Sequence, residues 1–437
     1  MVVGLDLGTS KTVCMLGGRD ENGFRILGVG EVPSEGVRSG HIVNIRAAVK
    51  CIQAAVAQAE ASASGETPKP EFRVRRVTAG LAGGSVDGLN SRGVVAVSAQ
   101  AEIGPRDVER VIDAAKAVLI PMDREIIHVL PQEYIVDDVR KLRDPLEMMG
   151  IRLEAEVHII TSSRAVSSNL VQGLNGAGLE VEEIVLDTLA STLAVLNEEE
   201  KQVGVLLIDL GAGTTDVVLF HEGAPHFSKV YSLGSERVTK DIAHVLQIPE
   251  TEAERLKVES GHTWLKGLTS DDEVVVREVG ARPAFALRRS ELGRIIQARI
   301  REILEQVLRD VQRTGLLDQL GAGIVVTGGG AHLEGLVELA GEVFGKTARM
   351  GVPSMITGLG DQWQRPEYTA CVGLVKWAYD RVPEDQRPYV AGTEIPAPRS
   401  ASADRPAPRQ ASRPVPKPSG SSGVWAKVWD FIKKNFI

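Results

Sequence analysis

One pattern occurs twice and constrains the fold more than any other feature of this chain. "VVGLDLGTSKTVCMLG" (Val2–Gly17) returns as "VGVLLIDLGAGTTDVVLF" (Val203–Phe220). Each copy is an apolar run closing on an Asp, a turn of small residues, and a second apolar run. A Gly/Ser/Thr turn between two such runs is a hairpin pattern. Two hairpins about 200 residues apart predict two related halves. Helical spacing fills the intervals: "IRAAVKCIQAAVAQAEASA", "RDVERVIDAAKAVL" and "SSRAVSSNLVQGLNGAG" in the first half, "SERVTKDIAHVL", "TEAERLKVES" and "RSELGRIIQARIREILEQVLRDV" in the second. Short β-rich runs such as "GVVAVSA" and "DEVVVREV" lie between them.

The turns carry chemistry as well as shape. Gly8, Thr9, Ser10 and Lys11 in "DLGTSK" can aim backbone N–H groups at phosphate oxygens, with Lys11 adding a point charge. "DLGAGTTD" offers Gly211, Gly213, Thr214 and Thr215 in the same way. Asp6 and Asp209, each at a strand end, suit a hydrated Mg²⁺, which prefers one or two carboxylates with water and phosphate oxygens. A third cluster, "GIVVTGGGAHLEGL" (Gly323–Leu336), follows a buried strand and is expected to open a helix, letting a ligand lie on bare backbone at its N-terminus. Any one of these loops alone reads equally as a plain turn. The three in this order predict a two-lobed nucleotide clamp. Walker A and GxGxxG patterns are absent, which excludes the P-loop and Rossmann solutions.

Bulk properties narrow the class. A chain of 437 residues, 43% hydrophobic and 25% charged, is long enough for two or more domains. A net charge of -8 argues against broad nucleic-acid binding. Cys14, Cys51 and Cys371 are too few and too scattered for a disulfide framework, so a reducing compartment is expected. The chain starts directly on an apolar strand with no signal-peptide pattern, and no apolar run is long enough to span a bilayer. These readings predict a cytoplasmic protein. Among the histidines, His128 and His158 sit in β-like runs and read as structural rather than metal-binding.

The far end is different. Residues 383–423 are rich in Pro, Ser, Ala and Arg with almost no large apolar side chains, a composition that cannot build a core. They read as a disordered linker with a flexible-chain span on the order of 35 Å. Then comes "VWAKVWDFIKKNFI" (Val424–Ile437), in a chain only 4% aromatic. On a helical wheel Val424, Trp425, Val428, Trp429, Phe431, Ile432 and Phe436 fill an arc of about 160°, while Lys427, Lys433 and Lys434 fall outside it. The segment makes about 21 Å of helix, short of the roughly 30 Å hydrocarbon core. It is expected to lie in the interface of an anionic membrane; docking on its own core or on a partner protein is the alternative.

The phosphate loop, the second phosphate loop and "TGGG", in that order, resemble the actin, Hsp70 and sugar-kinase superfamily. "GLNSRGVVAVSAQAEIGPRDVERVIDAAKAVLIPMDREIIHVLPQEYIVDD" and "DPLEMMGIRLEAEVHIIT" closely resemble the inserted subdomain of the bacterial cell-division FtsA family. "ERVTKDIAHVL", "AERLKVESG" and "PEYTACVGLVKWA" match that family too, so the resemblance runs from Val2 to about Asp380. In one departure Glu147 stands where the family pattern has Gly.

The resemblance implies an α/β, actin-like duplicated fold of two lobes around a nucleotide cleft, with an FtsA-type inserted subdomain. Lobe 1 would occupy 1–82 and 162–195, the insert 83–161, and lobe 2 196–382 with a smaller subdomain at about 229–300; the linker (383–423) and membrane helix (424–437) follow. It implies ATP and Mg²⁺ as ligands, with Glu254 and Lys257 bordering the adenosine and Gly328 and Gly329 beneath it. Asp187 falls where related ATPases keep a group near the attacking water, although a helix N-cap or a solvated Asp fits the sequence equally, so at most slow ATPase activity is expected. The implied partners are FtsZ, further copies of the chain in filaments, anionic lipid on the cytoplasmic face of the cell membrane at the division site, and later division proteins through the insert. Arg288, Arg289 and Arg299 are candidates for meeting an acidic FtsZ peptide, or for an ordinary solvated helix face. The rival readings are a pilus-assembly actin homologue, which would not need the membrane helix, and a small-molecule kinase, for which no acceptor site is apparent.

Overall fold

Both repeated hairpins form, and each is the centre of a sheet. The computed structural model describes residues 1–20, 23–65, 69–98, 102–277, 280, 283–354 and 359–383. In lobe 1, β1 (Val2–Leu7) and β2 (Lys11–Asp20) pair antiparallel, and β3 (Gly23–Pro33) extends the pair. The short β4 (Val37–Arg38) and β5 (His41–Ile42) precede α1 (Ile45–Ser64). Asn44 caps α1 by accepting the Ala47 N–H, and Gly65, at a φ of 72°, ends it. Its buried stripe of Ala48, Ile52, Ala55, Ala59 and Ala63 has helical spacing and mostly small side chains, so the helix lies close on β3. β6 (Arg76–Leu81) then adds parallel to β1.

The chain next leaves lobe 1 for β7 (Asp87–Ala96), α2 (Pro105–Lys116), β8 (Arg124–Val136), β9 (Val139–Leu142) and β10 (Arg152–Ser163). These elements enclose their own core, with Val111 and Ala115 of α2 clustered with Leu153, Ala155 and Val157 of β10. Glu147 holds a left-handed φ of 64°, the conformation that favours Gly, so the loop keeps that backbone despite the side chain. α3 (Arg164–Gly176), β11 (Glu180–Leu186) and α4 (Asp187–Val195) complete lobe 1, whose strand order is β11-β6-β1-β2-β3.

α5 (Glu198–Val203) leads into the second copy, β12 (Val205–Leu210), β13 (Thr215–His221) and β14 (Ala224–Tyr231). α6 (Ser235–Leu246), α7 (Glu250–Ser260), the hairpin β15 (Glu273–Val276) and β16 (Phe285–Arg288), and α8 (Arg289–Thr314) follow. β17 (Gly323–Thr327), α9 (Leu336–Phe344) and β18 (Ala348–Met350) finish lobe 2. The order β18-β17-β12-β13-β14 repeats that of lobe 1, with the same parallel and antiparallel pairs. α10 (Thr369–Arg381) returns to lobe 1, where Cys371, Leu374 and Val375 join Leu5, Leu16 and Leu186 in the core. All three cysteines are buried free thiols.

One connection has no local signature in the sequence. The lobe 2 sheet does not end at β14: β7 pairs antiparallel with it, and β10, β8 and β9 continue it to nine strands. The segment inserted into lobe 1 is therefore an extension of the sheet of lobe 2.

Candidate nucleotide cleft

The duplicated turns face each other across a cavity of about 960 Å³, within the range of small-ligand sites. In the first turn the Thr9 hydroxyl accepts the Gly40 N–H at 3.0 Å. In the second, the Gly211 N–H closes on the Thr214 carbonyl at 3.0 Å, and the Ser235 and Glu236 N–H groups at the start of α6 donate to the Gly211 and Ala212 carbonyls. The tips of the two turns touch. A Cβ at Gly213 would lie 2.5 Å from Thr9 Oγ1 and 2.8 Å from Ser39 Cα, so only glycine fits there. At Gly328, φ is 84° and a Cβ would collide with Asp209 Oδ1. The third cluster departs from expectation: "GGG" enters a single 3₁₀ turn, Gly329–His332, and α9 starts only at Leu336. Gly328 and Gly329 border the cavity as bare backbone, not as a helix N-terminus.

Four aspartates line the same cavity: Asp6, Asp187, Asp209 and Asp216. Burial raises the Asp6 carboxyl to about 6 against the opposing pull of Lys11. Burial and the Asp6 charge bring Asp209 to about 7, and the Ser191 hydroxyl, 3.4 Å from Asp209 Oδ2, pulls it down. Asp187 and Asp216 are held well above the usual carboxylate range, first by burial and then by neighbouring Asp charges. Asp187 is the first residue of α4 rather than its cap, and it is buried, so the reading as a solvated Asp fails. Its Oδ1 and that of Asp216 are buried with no hydrogen-bond partner. This donor set fits a hard divalent cation, because unpartnered buried carboxylate oxygens demand positive charge. No three His, Cys, Asp or Glu groups among the described residues converge to ligate one ion directly.

Asp216 is the residue that motif reading missed. It lies directly across the ladder from Asp209, whereas the equivalent partner of Asp6 in lobe 1 is Val13. The signal was present: Asp interrupts the apolar run "TTDVVLF", and period 2 sets it on the same face as Thr214. Thr215, by the same alternation, turns away from the cavity and donates its hydroxyl to the Leu233 carbonyl at 2.6 Å.

Around this centre the structure brings together Gly8, Thr9, Ser10, Lys11, Gly211, Gly213, Thr214, Glu254, Lys257, Gly328 and Gly329. The buried Lys257 ammonium lies 2.7 Å from Glu254 and donates to the Thr239 hydroxyl at 2.9 Å. Lys11 is held at the wall, 3.5 Å from Glu31 and 3.6 Å from the centre of the Tyr368 ring. The three candidate arginines do not form one surface. Arg299 is largely buried on Asp241, 2.6 Å away, and also pairs with Glu302. Arg289 borders the cleft, bonded to the Ser260 carbonyl and Glu334. Arg288 alone is well exposed, 3.6 Å from Asp271.

Family comparisons agree with this architecture. A model described as the SHS2 domain inserted in FtsA matches residues 83–161, and one for cell division protein FtsA matches 206–373. Cell division protein FtsA of Borreliella burgdorferi is 43% identical over 384 residues, covering 87% of this chain and 91% of that protein. The chain belongs to the FtsA family of cell-division proteins. FtsA of Pseudomonas aeruginosa is 39% identical (90% of this chain, 93% of that one), and FtsA of Escherichia coli 35% (86% and 90%). Solved structures show that this FtsA-family fold is actin-like. The PilM–PilN type IV pilus biogenesis complex superposes with a TM-score of 0.58 at 17% identity, over 86% of this chain and 98% of that one. MreB5 of Spiroplasma citri bound to ADP gives 0.52 at 13%, over 87% and 96%. A MamK double helical filament gives 0.50 at 12%, over 87% and 99%. No helix among the described residues of this FtsA-family chain is long and apolar enough to cross a membrane. Residues 384–423 of the expected linker, and Trp425, Lys427, Val428, Trp429, Phe431, Ile432, Lys433, Lys434 and Phe436, expected to face a membrane, lie outside the described residues.

Proposed function

We propose that this FtsA-family chain binds ATP with Mg²⁺ in the cleft, associates with further copies of itself, and tethers the FtsZ ring to the inner face of the cytoplasmic membrane through its C-terminal amphipathic helix. The observation that carries the nucleotide reading is the convergence of three glycine loops and four aspartates, two of them buried, on one cavity. Backbone N–H groups of Gly8–Lys11 and Gly211–Thr214 would take the phosphates. Asp6 and Asp209 would hold the waters of Mg²⁺, which supplies charge neutralisation for the phosphate oxygens. Asp187 and Asp216, each with a free buried oxygen, stand ready to orient a water or hold its proton. Glu254 and Lys257 would border the nucleoside end. The ADP bound by MreB5 and the MamK double helical filament support nucleotide binding and self-association in this fold. Arg289 and Arg299 are enclosed with their carboxylate partners, whereas Arg288, 3.6 Å from Asp271, is well exposed and is the arginine of the three best placed to meet an FtsZ peptide.

An adaptor and a kinase of the same fold differ in one measurable way. MgATP titrated into the full chain is expected to give saturable heat, while ATP with a panel of sugars and other small acceptors yields no phosphorylated product. Stoichiometric transfer to any acceptor contradicts the adaptor reading, and absence of heat contradicts the cleft assignment.

A further inference from the structure

The inserted segment leaves lobe 1 after Leu81 and rejoins it at Arg164, yet it is fastened to both lobes. On the lobe 2 side, β7 meets β14 at Asp87 and Lys229. A polar seam reinforces that pair. The buried His158 has Nδ1 2.7 Å from Asn90 Oδ1 within the insert and Nε2 2.7 Å from Ser228 Oγ in lobe 2. The Asn90 amide donates to the His226 carbonyl at 3.1 Å, the Gln132 amide to the Pro225 carbonyl at 2.9 Å, and Arg143 to the Glu222 carbonyl at 2.8 Å. Every one of these acceptors belongs to the β13–β14 hairpin of lobe 2 or its turn.

On the lobe 1 side Ile127 and Leu130 of β8 pack on the lobe 1 core and Arg164 donates to the Arg124 carbonyl at 3.0 Å, while one buried bond reaches the wall of the cleft. His128 of β8 accepts the Leu186 N–H at Nε2, 3.1 Å away. Leu186 ends β11, and the next residue is the cleft carboxyl Asp187. The imidazole packs against Trp377 with ring centres 5.5 Å apart; the Trp377 N–H donates to Glu183 at 2.9 Å, and Arg381 lies 3.7 Å from the indole centre. Burial, helped by the Arg381 charge, lowers His128 to about 4, so the ring is neutral and able to accept that N–H at physiological pH.

We propose that the inserted subdomain is a strap between the two lobes, with His128 as the joint that ties it to the Asp187 wall of the cleft. Closing lobes joined in this way on a ligand loads the β7–β14 seam and the lobe 1 attachments, among them the His128–Leu186 bond, and a buried N–H deprived of its acceptor is destabilising. The insert thereby senses cleft occupancy through contacts rather than through distance. His128 acts as a positioning residue, through Leu186. The strap rests on the cleft taking a nucleotide.

Hydrogen exchange by mass spectrometry on the full chain, with and without MgATP, tests it. In the wild type, MgATP is expected to slow exchange in 206–215 and 181–188, and also in 124–136 by about fivefold or more. His128→Met keeps the apolar volume and removes the acceptor; 124–136 then ceases to respond, while MgATP affinity changes by no more than about fivefold. His128→Gln, which returns an acceptor, restores the response. Ser228→Ala, which cuts the lobe 2 seam, weakens it independently of how well His128→Met folds. Protection of 206–215 without any change at 124–136 in the wild type overturns the strap and leaves the cleft intact, as does a His128→Met variant that responds like wild type. If neither heat of binding nor protection appears anywhere, the cleft reading fails and the strap falls with it.

Discussion

Replacing Trp425 and Trp429 together by Glu is expected to weaken binding to anionic vesicles about a hundredfold or more. On a helical wheel both residues belong to the apolar arc, about 40° apart, with Trp429 at its edge. Each change removes an interfacial anchor and adds a charge that anionic lipid repels, and every 1.4 kcal/mol lost is about tenfold in affinity. Lys433→Glu with Lys434→Glu keeps the apolar face, so it weakens binding mainly to anionic vesicles, while binding to neutral ones changes little. MgATP affinity is expected to stay unchanged in both double variants, because residues 383–423, whose composition offers no core, lie in sequence between 424–437 and the lobes. Flotation of the three proteins with anionic and neutral vesicles measures this. A Trp double variant that floats like wild type removes the anchor; one that floats poorly and also loses ATP binding places the helix on the protein's own core.

Asp209→Asn is expected to move two properties in opposite directions. The amide keeps the shape of the side chain and an acceptor for Ser191, but it removes a carboxylate that would organise the waters of the metal. Mg²⁺-dependent ATP affinity should fall about 10- to 100-fold. Stability of the nucleotide-free protein should respond in the other sense. With Asp6 raised to about 6 and Asp209 to about 7, the folded state binds more protons than the unfolded chain. The stabilisation is complete below the ordinary Asp range near 4, and it is lost as pH rises through about 6 and 7. Melting temperature of the wild type without nucleotide therefore declines from about pH 5 to pH 8, and Asp209→Asn flattens that decline. Thermal melts across that range and calorimetry with and without Mg²⁺ report the two effects. An unaltered Mg²⁺ dependence contradicts the role given to Asp209.

The parts of this architecture that were legible are those written locally. An apolar run ending in Asp and followed by small residues specifies a strand and a turn wherever it occurs, so the duplicated hairpins and their glycine loops could be read directly. The Ala48–Ala63 stripe and the Leu292–Val311 run declare helices in the same way. What was not legible depends on residues far apart. Nothing near Asp87 announces that its strand will pair with Lys229, so the nine-stranded sheet and the strap it creates emerge only in three dimensions. Helical spacing placed Arg289 and Arg299 on α8 but said nothing of Glu334 and Asp241, the distant carboxylates that engage them. Asp216 was overlooked because its polarity was absorbed into a strand pattern, although the two-residue alternation already aims it at the cleft. The cluster does precede a helix, but glycine permits a 3₁₀ turn as readily as a helix start, so the bare backbone of "GGG" lies a turn before α9, whose N-cap is Gly335.

Whether this chain holds FtsZ on a membrane is read out by co-flotation. Purified FtsZ, the full-length chain and anionic vesicles are mixed with MgATP and floated through a density gradient. FtsZ is expected in the vesicle fraction only when the chain is present, and to remain at the bottom when the chain carries Trp425→Glu and Trp429→Glu. Vesicles that carry the wild-type chain to the top while FtsZ stays below contradict the account.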